Sequence, residues 1–196
     1  MTASPLNHQA STSEQAVSPT SIAVGVCDAA TGLPCVERAL DFVSDPGFGG
    51  IAVFVGKIRN ANVGRDVTGV SYDLFAPLAN NLFRQFGDEV AAEFGPRTRL
   101  FVEHATGRLA VGDVAVVVAA GTPHRDEAFR ACRALIEAVK HRAPIWKQEH
   151  YVDGSSVWSE GCSLCGQEAA EAHRHSHGAP DATHTHGAAA AERAPG

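Results

Sequence analysis

TPHRDEAFRACRALIEAVKHRAPIWKQEHYV, residues 122–152, holds a helix, its stop signal and the strand that follows. Thr122 is an N-cap residue type and Pro123 suits a first helical position. Ala128, Cys132, Leu135 and Val139 then recur at helical spacing, joined by Phe129 and Ile136, which predicts one apolar face over 123–141. Pro144 closes the helix, and Ile145–Val152 reads as a final strand whose end lies near Trp158.

Working outward, the chain alternates between the two periods. Ser21–Val26 reads as a strand and Pro34–Val43 as a short helix. Asp45–Gly50 is a turn, and Ile51–Val55 a strand of the fully buried type. A polar loop, 57–66, leads to the strand Val67–Phe75. Pro77–Phe94 carries Leu78, Leu82, Phe83, Phe86, Val90 and Phe94 on one helical face. Thr98–Ala105 alternates as a strand, 107–113 turns, and Val114–Ala120 is a continuous apolar strand. The order β-α-β-β-α-β-β-α-β specifies an α+β or α/β domain over residues 21–160. Residues 1–20, rich in Ser, Thr, Ala and Gln, read as a disordered leader, and 161–196 as a flexible Cys/His-rich tail.

The 196 residues are 44% hydrophobic and 19% charged, which suits one domain with appended tails. No apolar run approaches the roughly 18 residues of a membrane span, and the N-terminus has no signal-peptide pattern, so a cytoplasmic location is expected. Five cysteines without a secretory signal point to reduced thiols. A net charge of −6 argues against nucleic acid as a partner.

The cations are unevenly chosen. Of 16 Lys plus Arg, only Lys57, Lys140 and Lys147 are lysine, in the segments GKIRN (56–60) and KHRAPIWK (140–147). Lysine, unlike arginine, loses its proton readily when buried and then acts as base or nucleophile. Lys147 is set beside an aromatic in a strand; Lys140 closes a helix whose dipole favours it there on structural grounds alone. His124 and Arg125 sit at a helix N-terminus, the end that favours anions. They are either an external anion site or a surface pair balanced by Asp126 and Glu127. Arg59 and Lys57 follow a buried strand into a loop, where sites commonly sit. Residues 124 and 140 are about 24 Å apart along a helix at 1.5 Å per residue. One small ligand therefore reaches both ends only if a second copy of the chain completes the site across a two-fold axis.

The tail carries Cys162 and Cys165 as a CxxC pair, then His173, His175, His177, His184 and His186. This is half of a tetrahedral zinc site that histidine completes, or a looser site for zinc or another divalent metal. The alternative is a tail that binds nothing.

GKIRN (56–60), EHATGRL (103–109) with Gly112-Asp113, PHR (123–125) and KHRAPIWKQE (140–149) together resemble the molybdopterin synthase catalytic (large) subunit family, over about 21–158. The resemblance implies an α/β-hammerhead type fold and a homodimer carrying two small ubiquitin-like sulfur-carrier subunits, a heterotetramer. It implies that a carrier's C-terminal Gly-Gly thiocarboxylate gives sulfur, twice, to cyclic pyranopterin monophosphate. Lys140 and Lys147 would be the catalytic pair. Arg59, His124 and Arg125 would bind the pterin and its phosphate, with Lys57, Gln148 and Glu149 nearby, and catalysis would need no cofactor. Ile145 stands where the family usually has Phe, and Gln148 where a cation is common. A competing reading, from another class, is a non-catalytic metal-binding or scaffold protein that keeps this fold and works through its Cys/His tail.

Overall fold

Twelve residues of one strand organise the domain. In the computed structural model, which describes residues 21–159, β5 (Arg99–Ala110) lies between β1 (Ser21–Asp28) and β6 (Val114–Thr122) along its first half. It runs parallel to β1 and antiparallel to β6. Past Gly107 it leaves both partners and pairs with β4 (Arg65–Asp73), Gly107 opposite Tyr72 and Leu109 opposite Val70. Gly107 has φ 91°, a conformation side-chain-bearing residues rarely adopt, so the strand bends there without breaking. The turn expected at 107–113 is thus confined to its second half, and β5 continues to Ala110.

Among the described residues the strands form one mixed sheet in the order β2-β6-β5-β4-β7-β8, with β2 spanning Gly50–Lys57, β7 Trp146–Tyr151 and β8 Ser156–Ser159. The short strand β3 (Ala61–Asn62) pairs with β4. The helices are α1 (Val36–Val43), α2 (Ala76–Phe94) and α3 (Arg125–Arg142), giving the α+β fold.

Both faces of the first half-sheet are covered, which is why β6 reads as an unbroken apolar run. Leu100, Val102, Val116, Val118 and Ala120 pack under Phe83, Phe86 and Val90 of α2 and Leu135 and Val139 of α3. Phe101, Val117 and Ala119 face the other way, against Ala39 and Val43 of α1. Cys132 sits in the α3 stripe with its thiol directed at the Val118 carbonyl, 3.6 Å away. Burial pushes that thiol up to about 11, so it behaves as an apolar filler.

Four local expectations need correction. α3 begins at Arg125 with His124 as N-cap; the Thr122 hydroxyl instead donates to the His124 carbonyl at 2.7 Å. The chain before α3 is held by β2, since the Gly49 amide donates to the Pro123 carbonyl. Phe129 is 65% exposed and lies outside the stripe, because its position falls beside the apolar face, not on it. The loop 57–66 contains a hairpin turning at Val63-Gly64, both with positive φ. The last strand is two: β7 turns at 152–155 and returns as β8.

His104 supplies a pH signature. It is buried against Tyr72, edge to face at 4.9 Å, and its Nδ1–H donates to the Ala105 carbonyl. Burial holds it neutral, with its pKa lowered to about 4. The unfolded chain protonates near 6.5, so below that pH it binds a proton the folded chain refuses, and stability falls. His150, lowered by burial and by the Arg108 charge, acts in the same direction. Glu89 and Asp153, held near 2 chiefly by hydrogen bonds from Arg142 and Ser155, weaken only at lower pH. Stability by urea titration should drop by about 2 kcal/mol between pH 7 and pH 4.5. An undiminished drop in His104→Phe would remove His104 as its source.

Candidate functional site

The sheet's second half carries a pocket. Antiparallel pairing sets Tyr72 opposite Lys147 and Val70 opposite Glu149, so these four share one face of β4 and β7. Alternation along β7 puts Lys147, Glu149 and Tyr151 on this face and Trp146, Gln148 and His150 on the other. The chain leaving β2 supplies the opposite wall: Lys57 and Arg59, with Ile58 bonded through its backbone to Asp113 and Gly112. The β3 hairpin adds Ala61 and Asn62, and the resulting pocket is about 50 Å³.

Glu149 lies at its centre, 4% exposed. Oε1 meets the Lys147 ammonium at 2.5 Å. Oε2 accepts from Asn62 Nδ2 and from the Tyr151 hydroxyl, each at 2.6 Å. Burial alone would push this carboxyl up; the hydrogen bonds from Lys147, Tyr151 and Asn62, with the ammonium's charge, outweigh it and hold the group below the usual carboxylate range. A buried carboxylate so saturated stays ionised at neutral pH. Its anion in turn raises the Tyr151 phenol, mainly by accepting its hydrogen bond. Tyr72, deeper in the wall, is pushed up to about 12 by burial and then by the Glu149 charge. Both phenols therefore stay protonated at neutral pH.

Lys57, Arg59 and Lys147 against Glu149 leave the pocket two positive charges in excess, suited to an anionic ligand. Of the residues singled out in the sequence, the fold brings these four together. Gln148 faces away, its amide donating to Ser156 Oγ at 3.1 Å. Lys140 is exposed in the last turn of α3. His124 and Arg125 are exposed at that helix's other end, fifteen residues or about 22 Å away. None of these four residues lines the pocket. Cys162, Cys165, His173, His175 and His177 lie outside the described residues.

Sequence reasoning missed Tyr151, Tyr72 and Asn62 as site residues, the last within the polar loop 57–66. Tyr151 was detectable, since a strand places positions 147, 149 and 151 on one face. Asn62 and Tyr72 arrive through strand pairing, which leaves no local mark.

The family model described as "MoaE protein" matches residues 33–142 of this chain. The chain belongs to the MoaE family. The chain is 46% identical over 130 residues to the molybdopterin synthase catalytic subunit of Synechococcus elongatus, covering 66% of this chain and 79% of that one. It is 43% identical over 122 residues to molybdopterin synthase catalytic subunit 1 of Mycobacterium tuberculosis, covering 61% and 81%. Its fold matches the crystal structure of molybdopterin synthase from Staphylococcus aureus with a TM-score of 0.64 at 30% identity, covering 69% of this chain and 95% of that one. The matched segment ends at Arg142, so Lys147, Glu149 and the β7–β8 hairpin lie C-terminal to it.

Proposed function

We propose that this MoaE protein is the catalytic subunit of a molybdopterin synthase. It takes sulfur from the thiocarboxylated C-terminus of a small carrier subunit and places it on cyclic pyranopterin monophosphate. The observation that carries the reading is the pocket at β4–β7, where Lys57, Arg59 and Lys147 surround one buried, saturated carboxylate. Its relatives' name, catalytic subunit, itself implies a further subunit.

The pocket's chemistry suits both substrates. Arg59 and Lys57 offer fixed cations to a phosphate monoanion. Attack on or by an acyl-sulfur group develops negative charge, which the Lys147 ammonium is placed to stabilise. The sulfur arrives fully reduced, so no redox cofactor is required. His124 and Arg125 enter the reading through a second copy of the chain, a homodimer setting the N-terminus of one protomer's α3 beside the other's pocket, and Lys140 through the pocket's own protomer, whose α3 ends at Arg142 before β7 begins at Trp146. Two carriers on that dimer give the heterotetramer. No helix among the described residues is long and apolar enough to cross a membrane; a cytoplasmic location is part of the proposal.

A single-turnover assay tests this. Full-length protein is mixed with a thiocarboxylated carrier and cyclic pyranopterin monophosphate, and molybdopterin is measured as its fluorescent oxidation product. Product that depends on both substrates is the expected result. A folded protein that binds the carrier and yields none would overturn the reading.

A further inference from the structure

We infer that Asn62 and Tyr151 are positioning residues: together they clamp Glu149 so that Lys147 is presented to the pocket as a fixed, charged group. The inference deepens the proposed function and rests on it for its kinetic arm.

The geometry divides the Glu149 carboxylate between two tasks. Oε1 holds the Lys147 ammonium, while Oε2 takes both neutral donors, Asn62 Nδ2 and Tyr151 Oη. A carboxylate bound through one oxygen alone rotates about its terminal torsion, which is broad and two-fold. Anchoring the second oxygen from two elements removes that freedom, and the first oxygen then has one direction left for its partner.

The two anchors are themselves held from outside the pocket. Asn62 stands at the foot of the Val63-Gly64 turn, paired across to Arg65. Arg65 covers the Tyr151 ring, its guanidinium 3.5 Å from the ring centroid, and pairs with Asp153 at 2.9 Å in the β7–β8 turn. One arginine thus ties the β3 hairpin to the β7 hairpin, and each hairpin delivers one donor to the same oxygen. Val63, a β-branched residue at φ 47°, keeps the turn tight at some backbone cost. Strain of this kind persists where surrounding contacts over-determine it.

The groups facing Glu149 are Lys147 and Tyr151 from β7, Asn62 from β3, Tyr72 from β4, and Lys57 and Arg59 from the far wall. Among the described residues, Asn62 and Tyr151 are the uncharged donors in direct contact with its Oε2. Removing them leaves the carboxylate buried with fewer donors, so it protonates at higher pH. Protonated Glu149 no longer holds an ammonium.

The test uses full-length Asn62→Ala, Tyr151→Phe and the double variant, with two readouts. The first is the Glu149 side-chain carboxyl carbon followed by NMR titration, alongside the Lys147 Nζ signal. The chain's three lysines make that signal assignable with Lys147→Arg. The second is the pH profile of single-turnover molybdopterin formation at saturating carrier and substrate. We expect the Glu149 midpoint and the acid limb of the profile to move up together, by about one pH unit in the double variant. The rate at pH 7 should fall about 10-fold with carrier affinity unchanged, since the loss is one of aim. An unmoved Glu149 midpoint overturns the clamp whatever the activity. A moved midpoint with an unchanged acid limb overturns the positioning role. Absence of product from the wild-type protein counts against the functional reading, and the NMR titration still decides the clamp.

Discussion

Lys147→Ala loses molybdopterin formation by at least about 100-fold in single turnover while the protein stays folded and binds its carrier. The magnitude follows from deleting one preorganised charge from a site that develops negative charge, typically about 3–4 kcal/mol of barrier. Folding survives because the Lys147 side chain is 23% exposed and forms no part of the apolar clusters. Some stability is lost all the same. Glu149 remains buried and keeps the Asn62 and Tyr151 donors but loses its counter-charge, a cost of about 1–2 kcal/mol, below that of a fully dry ion pair broken on one side. Lys147→Arg separates charge from shape, since the planar guanidinium keeps the charge but not the reach. Turnover by Lys147→Ala within threefold of wild type would dismiss Lys147 from the chemistry.

The second large effect is on stability. Leu135 is fully buried where α3 meets the sheet, among Val116, Val118 and the α2 face. Leu135→Ala removes its transfer free energy and leaves a cavity that a sheet covered on both faces fills poorly. A loss of about 3 kcal/mol is expected, seen as a fall in Tm of about 10 °C. Turnover per folded molecule should stay near wild type, because the pocket lies on the other half-sheet. The neighbouring Phe129→Ala is the control: at 65% exposed it should change stability by less than about 0.5 kcal/mol. A comparable loss in both variants would refute the assignment of the α3 face.

At Gly50, β2 meets the start of α3. A Cβ there would fall 2.7 Å from Arg125 Cα and 2.8 Å from Arg125 N, so β2 touches the start of α3 backbone to backbone. The residues at that helix terminus, His124 and Arg125, are thus set by a glycine 75 positions earlier, which no periodicity reveals.

What the sequence determined by itself is everything whose cause is local. The α3 stripe, the stop at Pro144 and the unbroken apolar run of β6 each follow from the burial of one element, and each stands in the structure. The concentration of the three lysines into two segments likewise pointed toward Lys57 and Lys147, which share the pocket. The helix start was misplaced by two residues because a threonine hydroxyl satisfies a carbonyl as readily as it caps an amide. The tertiary structure alone decided the rest. Pairing of β4 with β7 brings Tyr72 and Val70 to Lys147 and Glu149 across more than 70 residues, and the β3 hairpin brings Asn62 to Glu149 across 87. The separation of Gln148 from Lys147 and Glu149, by contrast, is local, because one step along a strand reverses the side chain. A strand's own sequence fixes which residues share a face; only its partners fix what that face meets.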